Sequence, residues 1–418
     1  MAETLGNRTL RPETLMMGHG YDPKLSEGAL KPPIFLTSTY VFPSAAEGKR
    51  FFEGVTGLRP GGAEGLVYGR FNGPDQEILE DRLCLWEETQ DALTFATGMA
   101  AIATTLLTFV QPGETVVHSA PLYAATETLI GKVLARLGVS FVDFPASATQ
   151  AEIEAALRAA EARGRVAAIY LESPANPTNA LVDVEAVVAA RAAALGRGPE
   201  ATPIMIDNTF LGPLWARPAR QGADLILYSL TKYVGGHSDL VAGACLGPNP
   251  LIERVRALRN IMGTITDPHT AWMLLRSLET LHLRMERAGE NARHVCEWLR
   301  DHPKVERVGY LGFAEPGSRQ ADIYARHCLG AGSTFSLYLK GGEPEAFRFL
   351  DAMELVKLAV SLGGTESLAS HPASMTHLSV APERKAALDI GENMVRISIG
   401  VEHADDLVAD FAQALAAV

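Results

Sequence analysis

From residue 71 to about 250, short apolar runs of strand length alternate with helical stretches. The runs cover residues 92–96, 115–118, 139–144, 166–171, 204–206, 225–228 and 242–246. Each is too short for a helix, and strands buried on both faces read as such runs. Residues 74–86, 151–163 and 184–195 carry helical patterns between them. Strands alternating with helices predict an α/β fold, a mostly parallel sheet flanked by helices on both faces.

The pattern differs on either side of this block. Residues 1–70 read as irregular, with Pro32-Pro33, Pro43, Pro60 and a glycine-rich run over 57–69. They also carry Ile34-Phe35-Leu36, Tyr40-Val41-Phe42 and Phe51-Phe52, apolar content that needs a surface. We therefore expect an N-terminal arm docking on a neighbouring subunit, followed by a large domain over 71–265. Beyond it, residues 251–260, 270–287 and 290–300 read as helices. Strand-like runs follow at 305–310, 333–339 and 394–398, and a helix at 404–417. This predicts a smaller α+β domain over 266–418.

The net charge of −12 argues against nucleic acid and against an anionic membrane surface as partners. Cys84, Cys245, Cys296 and Cys328 are scattered, with no CxxC, which suggests neither a disulfide framework nor a zinc site. That usage fits a reducing, cytoplasmic setting. Residues 1–17 include charges and no apolar core, so no signal peptide is expected. The uncharged stretch 92–110 contains five threonines and Gly98. It reads as a strand, a Thr97-Gly98 turn and a helix rather than a membrane span.

Ligands of an open parallel sheet bind outside the carboxyl ends of the strands. Thr97-Gly98-Met99-Ala100 follows the first run, and a glycine turn opening a helix offers N–H groups to a phosphate. Tyr123 follows the second, Glu172-Ser173-Pro174-Ala175-Asn176-Pro177 the fourth, Asp207-Asn208-Thr209 the fifth, and Ser229-Leu230-Thr231-Lys232 the sixth. Taken singly, Asp207 fits a helix cap, Asn176 a turn, Tyr123 edge packing and Lys232 a solvated strand end. Together they place an amine, a carboxylate, an aromatic face and phosphate donors on one rim. Pyridoxal 5′-phosphate (PLP) needs that set: a lysine for a Schiff base, an acid for the ring nitrogen, a stacking ring and anion donors. No GxGxxG follows a strand, and GxxxxGK[ST] and HExxH are absent. His237, His371 and His377 read as structural, and no metal is expected.

These motifs resemble the PLP enzymes of cysteine and methionine metabolism: cystathionine γ-synthase, cystathionine γ-lyase, methionine γ-lyase and the O-acylhomoserine sulfhydrylases. The likeness runs from about Thr37 to the C-terminus. It includes Tyr68-Gly69-Arg70, the rim motifs, Ser361-Leu362-Gly363-Gly364, the run from His371 to His377, and Val395-Arg396-Ile397-Ser398-Ile399-Gly400. The resemblance implies the aspartate aminotransferase-like fold, known as PLP fold type I, and a homotetramer built as a dimer of active dimers. It implies that Lys232 carries the cofactor and moves protons, that Asp207 pairs with the ring nitrogen, and that Tyr123 stacks on the ring. Gly98, Met99, Ser229 and Thr231 would hold the phosphate, with Tyr68 and Arg70 reaching it from a neighbouring subunit. Asn176 would contact the ring's phenolic oxygen, Arg396 the substrate carboxylate, and Ser361 that carboxylate or Lys232.

Before Ser361 the cystathionine-handling members are expected to carry a glutamate, whereas this chain has Val360. An apolar residue there suits a methionine-like side chain or an acyl-homoserine better. Residues 358–363 with 371–377 most resemble methionine γ-lyases. Departures from that pattern are Ala125 in place of a cysteine, Arg259-Asn260 in place of a Lys-Asp pair, and a longer segment over 51–64. The expected reaction is γ-elimination on a sulfur amino acid, giving a thiol, 2-oxobutanoate and ammonia. Alternatives are γ-replacement on an O-acylhomoserine, cystathionine γ-lysis, amino-group transfer, or a non-catalytic scaffold.

Overall fold

The structure is a computed structural model that describes residues 3–59, 65–378 and 380–418. Seven strands form its main sheet: β1 (Asp91–Phe95), β2 (Thr115–Ala120), β3 (Ser140–Pro145), β4 (Val166–Glu172), β5 (Ile204–Asp207), β6 (Leu225–Ser229) and β7 (Gly243–Gly247). Their order is β1-β7-β6-β5-β4-β2-β3. All neighbours run parallel except β7, which is antiparallel to both β1 and β6. The carboxyl ends of the other six strands therefore share one rim.

Side chains alternate across this sheet with a period of two. Leu225 and Leu227 of β6 enter one core with Ile102, Leu106, Leu251 and Val255. Ile226 and Tyr228 enter the other with Ile78, Leu83, Val187 and Leu274. Both faces are thus covered by helices, and the strands read as continuous apolar runs for that reason.

A second sheet of five strands, β8 (Val305–Gly309), β9 (Thr334–Leu339), β10 (Lys357–Leu358), β11 (Leu368–Ser370) and β12 (Met394–Ser398), has the order β8-β9-β12-β11-β10. Its core is separate: Phe335, Leu337, Val395 and Ile397 pack on Val295, Leu299, Phe349 and Phe411 from helices. β10 and β11 went unread in the sequence because two or three residues carry too little periodicity.

The structure corrects the helix boundaries. Residues 270–300 form α3 (Pro268–Leu278) and a continuous α4 (Leu281–Arg300), with no break before Glu290. Gly289, inside this helix, is a close-approach site, where a Cβ would stand 3.0 Å from Trp215. Residues 1–70 are not wholly irregular either. They contain α1 (Ala45–Val55), capped by Ser44 Oγ, which accepts the Glu47 N–H. Ser44 and Glu47 form the S-x-x-E helix-start pattern, which the glycines at 48 and 54 obscured. Gly48 packs on Phe42, and Phe42 meets Phe51 and Phe52 edge-on. The arm also binds its own chain, through Phe35 N–H on Asp75 (2.8 Å) and Trp272 Nε1 on the Pro32 carbonyl (3.0 Å). Of the longer 51–64 segment, residues 60–64 lie outside the described residues. Among the described residues no helix is long and apolar enough to cross a membrane.

Candidate active site

The strand register sets the site. Phe95 and Ser229 both lie opposite Gly243, so the turn after β1 abuts the end of β6. Thr97 caps the next helix, α2 (Gly98–Phe109), its Oγ1 accepting the Ala100 N–H at 2.8 Å. The Gly98 and Met99 N–H groups have no intrahelical acceptor. A Cβ on Gly98 would stand 2.9 Å from Ser229 Cβ, so only glycine lets helix and strand approach this closely. The result is an anion-accepting corner between a helix N-terminus and the Ser229 and Thr231 hydroxyls.

This corner belongs to a cavity of about 390 Å³. Gly98, Met99, Tyr123, Asn176, Asp207, Ser229, Thr231, Lys232, Val360, Ser361 and Arg396 all line it. The small sheet supplies Arg396 from β12, and the loop before β11 supplies Val360 and Ser361. Tyr68 and Arg70 do not line it. In this chain Arg70 bonds the Asn260 carbonyl and lies over the Phe71 ring, and Tyr68 is 41% exposed.

Lys232 Nζ donates to Ser361 Oγ at 2.8 Å. Burial first, then the Arg396 charge, lower its pKa to about 8, against the opposing pull of Asp207. Arg396 is buried, donates to Asn176 Oδ1 (3.2 Å) and to the Ser361 carbonyl (2.9 Å), and is lowered to about 10 by that burial. Its Nε has no partner among the described residues. A buried guanidinium with donors to spare, set beside a cavity, suits a ligand carboxylate. Burial raises Asp207, while the Thr209 contacts and Lys232 pull it down.

Sequence reasoning gave no role to Glu172, Thr209, Val241 or Thr376, which also line the cavity. Thr209 Oγ1 accepts the Ser229 N–H at 2.9 Å and so joins the ends of β5 and β6. Glu172 and Thr209 stand in the quoted rim motifs, so position after a strand was the available signal; Val241 carried none. Arg259, one of the departures noted above, is in the core rather than this cavity, paired with Glu80 at 2.7 Å. His371 and His377 are buried. Both ring nitrogens of His371 are bonded, to Ser374 Oγ and the Glu392 carbonyl. Burial lowers His377 to about 4. Among the described residues one group, Asp183, Glu185 and His327, has metal-ligand spacing, and Arg326 bonds both of its carboxylates.

The family model described as "Cys/Met metabolism PLP-dependent enzyme" matches residues 13–416. The chain belongs to this family. It is 39% identical over 406 residues to an L-methionine gamma-lyase of Pseudomonas putida, covering 97% of each chain. A cystathionine gamma-synthase of Mycobacterium tuberculosis is 37% identical over 406 residues, covering 97% of this chain and 96% of the relative. A solved cystathionine gamma synthase from Xanthomonas oryzae pv. oryzae, in complex with aminoacrylate and cysteine, superposes with a TM-score of 0.86 at 31% identity, covering 98% of both chains. The fold is therefore PLP fold type I, the chain is a PLP-dependent enzyme, and PLP is its cofactor. The cavity fits that group. Its anion corner suits a phosphate, the buried amine of Lys232 suits an aldehyde, and Asp207, joined to the end of β5, suits a protonated ring nitrogen.

Proposed function

We propose that this enzyme catalyses γ-elimination on methionine or a related sulfur amino acid, releasing a thiol, 2-oxobutanoate and ammonia. The observation that carries this reading is the cavity mouth. Val360 and Val241, 58% and 56% exposed, line the cavity, and in this reading the substrate's distal end lies against them. Apolar side chains there accept a thioether and offer nothing to a distal ammonium. The likeness to L-methionine gamma-lyases over nearly the whole chain supports it.

PLP when bound supplies an electron sink that stabilises negative charge on the substrate carbon skeleton. The chain's residues do the rest. Arg396 binds the substrate carboxylate through its fork. Lys232 in its free-amine form, which a pKa lowered to about 8 makes more abundant than in an ordinary lysine, takes the Cα proton and handles the proton at Cβ; Ser361 Oγ orients its amine. Asp207 keeps a proton on the ring nitrogen. Tyr123 stacks on the ring and gives a proton to the departing sulfur. Asn176 Oδ1 is taken by Arg396, so its amide N–H groups are the ones that face a cofactor oxygen. Gly98, Met99, Ser229 and Thr231 hold the phosphate.

In the same reading residues 1–70 are an arm on a large domain (71–265) and a smaller one (266–418). The enzyme is a cytoplasmic homotetramer, a dimer of active dimers, in which Tyr68 and Arg70 reach the neighbour's phosphate. Their exposure outside their own cavity supports this, as do exposed Leu36 and Val41 on the arm. Mixing inactive Lys232→Ala and Arg70→Ala proteins should restore activity in hybrids, and no recovery argues against the shared site. The reaction is tested with L-methionine and with O-acetyl- or O-succinylhomoserine plus a thiol, each assayed for 2-oxobutanoate and free thiol. Release from methionine supports elimination. Reaction of the acylhomoserines alone would make γ-replacement the function.

A further inference from the structure

Glu172 ends β4, directly abreast of Asp207 at the end of β5 in the parallel ladder. It is 4% exposed. One carboxylate oxygen, Oε2, accepts the Tyr123 N–H at 2.7 Å, and the other, Oε1, accepts the Asn176 N–H at 2.8 Å. Its own N–H donates to Ser119 Oγ on β2 at 3.1 Å. One side chain thus ties together the loops after β2 and β4. Burial, and next the Asp207 charge, push its carboxyl well above the usual range.

Two carboxyl groups on adjacent buried strand ends are costly. A requirement for acceptors explains the choice. Two N–H groups converge from different loops, and a carboxylate meets both at once. A glutamine offers one acceptor oxygen, and its NH2 would face the other N–H. Tyr123 and Asn176 lie in loops, where no ladder fixes them. The Tyr123 side chain is 40% exposed, so few neighbours hold its ring and its backbone sets its place. Asn176 also touches Arg396, so a shift there reaches the carboxylate binder.

We propose that Glu172 is a positioning residue of this site: its carboxylate fixes Tyr123 and Asn176 against the cofactor ring, and through Asn176 it steadies Arg396. The inference rests on the roles proposed above for those two residues.

The test compares wild type, Glu172→Gln and Glu172→Asp as apo and PLP-loaded proteins. Glu172→Gln is expected to fold and to bind PLP roughly tenfold or more weakly when the apo protein is titrated. The visible circular-dichroism band per bound cofactor, which reports how the ring is seated, should shrink, and KM should rise as Arg396 loses its brace. Should Glu172→Gln fail to fold, Glu172→Asp, with the charge kept and the reach shortened, is expected to show the same losses. A variant with lowered thermal stability but wild-type PLP affinity and an unchanged band overturns the proposal, leaving Glu172 a loop staple only. Lys232→Ala is run in parallel. If it still turns over, the reading of the site itself fails; if it is dead while Glu172→Gln is silent, only this inference fails.

Discussion

Ser361 joins the two ends of the site: its Oγ accepts from Lys232 Nζ at 2.8 Å, and its backbone carbonyl accepts from Arg396 at 2.9 Å. It does so at φ +117°, in the region that favours glycine. Ser361→Ala removes the hydroxyl and keeps the backbone. It should lower kcat about tenfold, the worth of one hydrogen bond to a charged group, with little change in KM. Steady-state kinetics that show a rise in KM alone would assign Ser361 to substrate binding instead.

Lys232 should make the capture of cofactor pH-dependent in a defined window. The free amine is the attacking form, and its pKa is about 8 against an ordinary 10.5. Stopped-flow reconstitution of apo protein with PLP should therefore accelerate as pH rises through about 8 and level off above it. Because the folded amine binds protons less tightly than the unfolded one, its contribution to apo-protein stability grows from about pH 8 towards 10.5. Arg396→Ala removes a cation that helps depress this pKa, so the inflection should move upward. An inflection that stays put in that variant contradicts the coupling.

The rim of the main sheet was readable because each functional residue follows an apolar run directly. Gly98, Asp207, Ser229 and Lys232 are placed by strand ends that burial makes conspicuous in the sequence. What joins them was not readable from local pattern, although the resemblance offered Lys232 as one of two partners for Ser361. The Lys232–Ser361 bond spans 129 positions, and Arg396–Asn176 spans 220. No local periodicity encodes contacts made only when the small sheet closes over the large one. The antiparallel insertion of β7 was hidden for a related reason: a strand buried on both faces reads the same in either direction. The gap expected between residues 287 and 290 is absent, and the reason for Gly289 within it, the Trp215 ring, lies far away in the chain.

Arg259 and Glu80 are a test of stability away from the cofactor. Their side chains are 1% and 9% exposed, and they meet at 2.7 Å. Arg259 also donates to the Thr94 and Phe71 carbonyls, and Glu80 accepts from Thr94 N–H and Oγ1. Arg259→Ala leaves the Glu80 carboxylate only the more distant Arg256, at 4.0 Å, as a cation, and should destabilise by about 3 kcal/mol. Arg259→Lys, the residue type the methionine γ-lyase pattern carries there, keeps the charge but loses the fork, and should fall between. Urea denaturation of the apo proteins measures both. A loss for Arg259→Ala below about 1 kcal/mol, the level of a surface pair, shows that the pair is not buried in solution.

Val360 should decide which distal group the cavity mouth accepts. Its side chain is exposed, lines the cavity, and neighbours Ser361 in the chain. Val360→Glu places a carboxylate where an apolar surface now meets the far end of the substrate. For methionine this puts a charge against a thioether and a methyl group, so kcat/KM should fall by roughly tenfold or more. For cystathionine the same carboxylate meets the distal ammonium, and kcat/KM should rise. The measurement is kcat/KM for both substrates in wild type and variant, with 2-oxobutanoate as the common product read out. A ratio between the substrates that does not move shows that the distal end lies elsewhere, and Val241 becomes the next position to change.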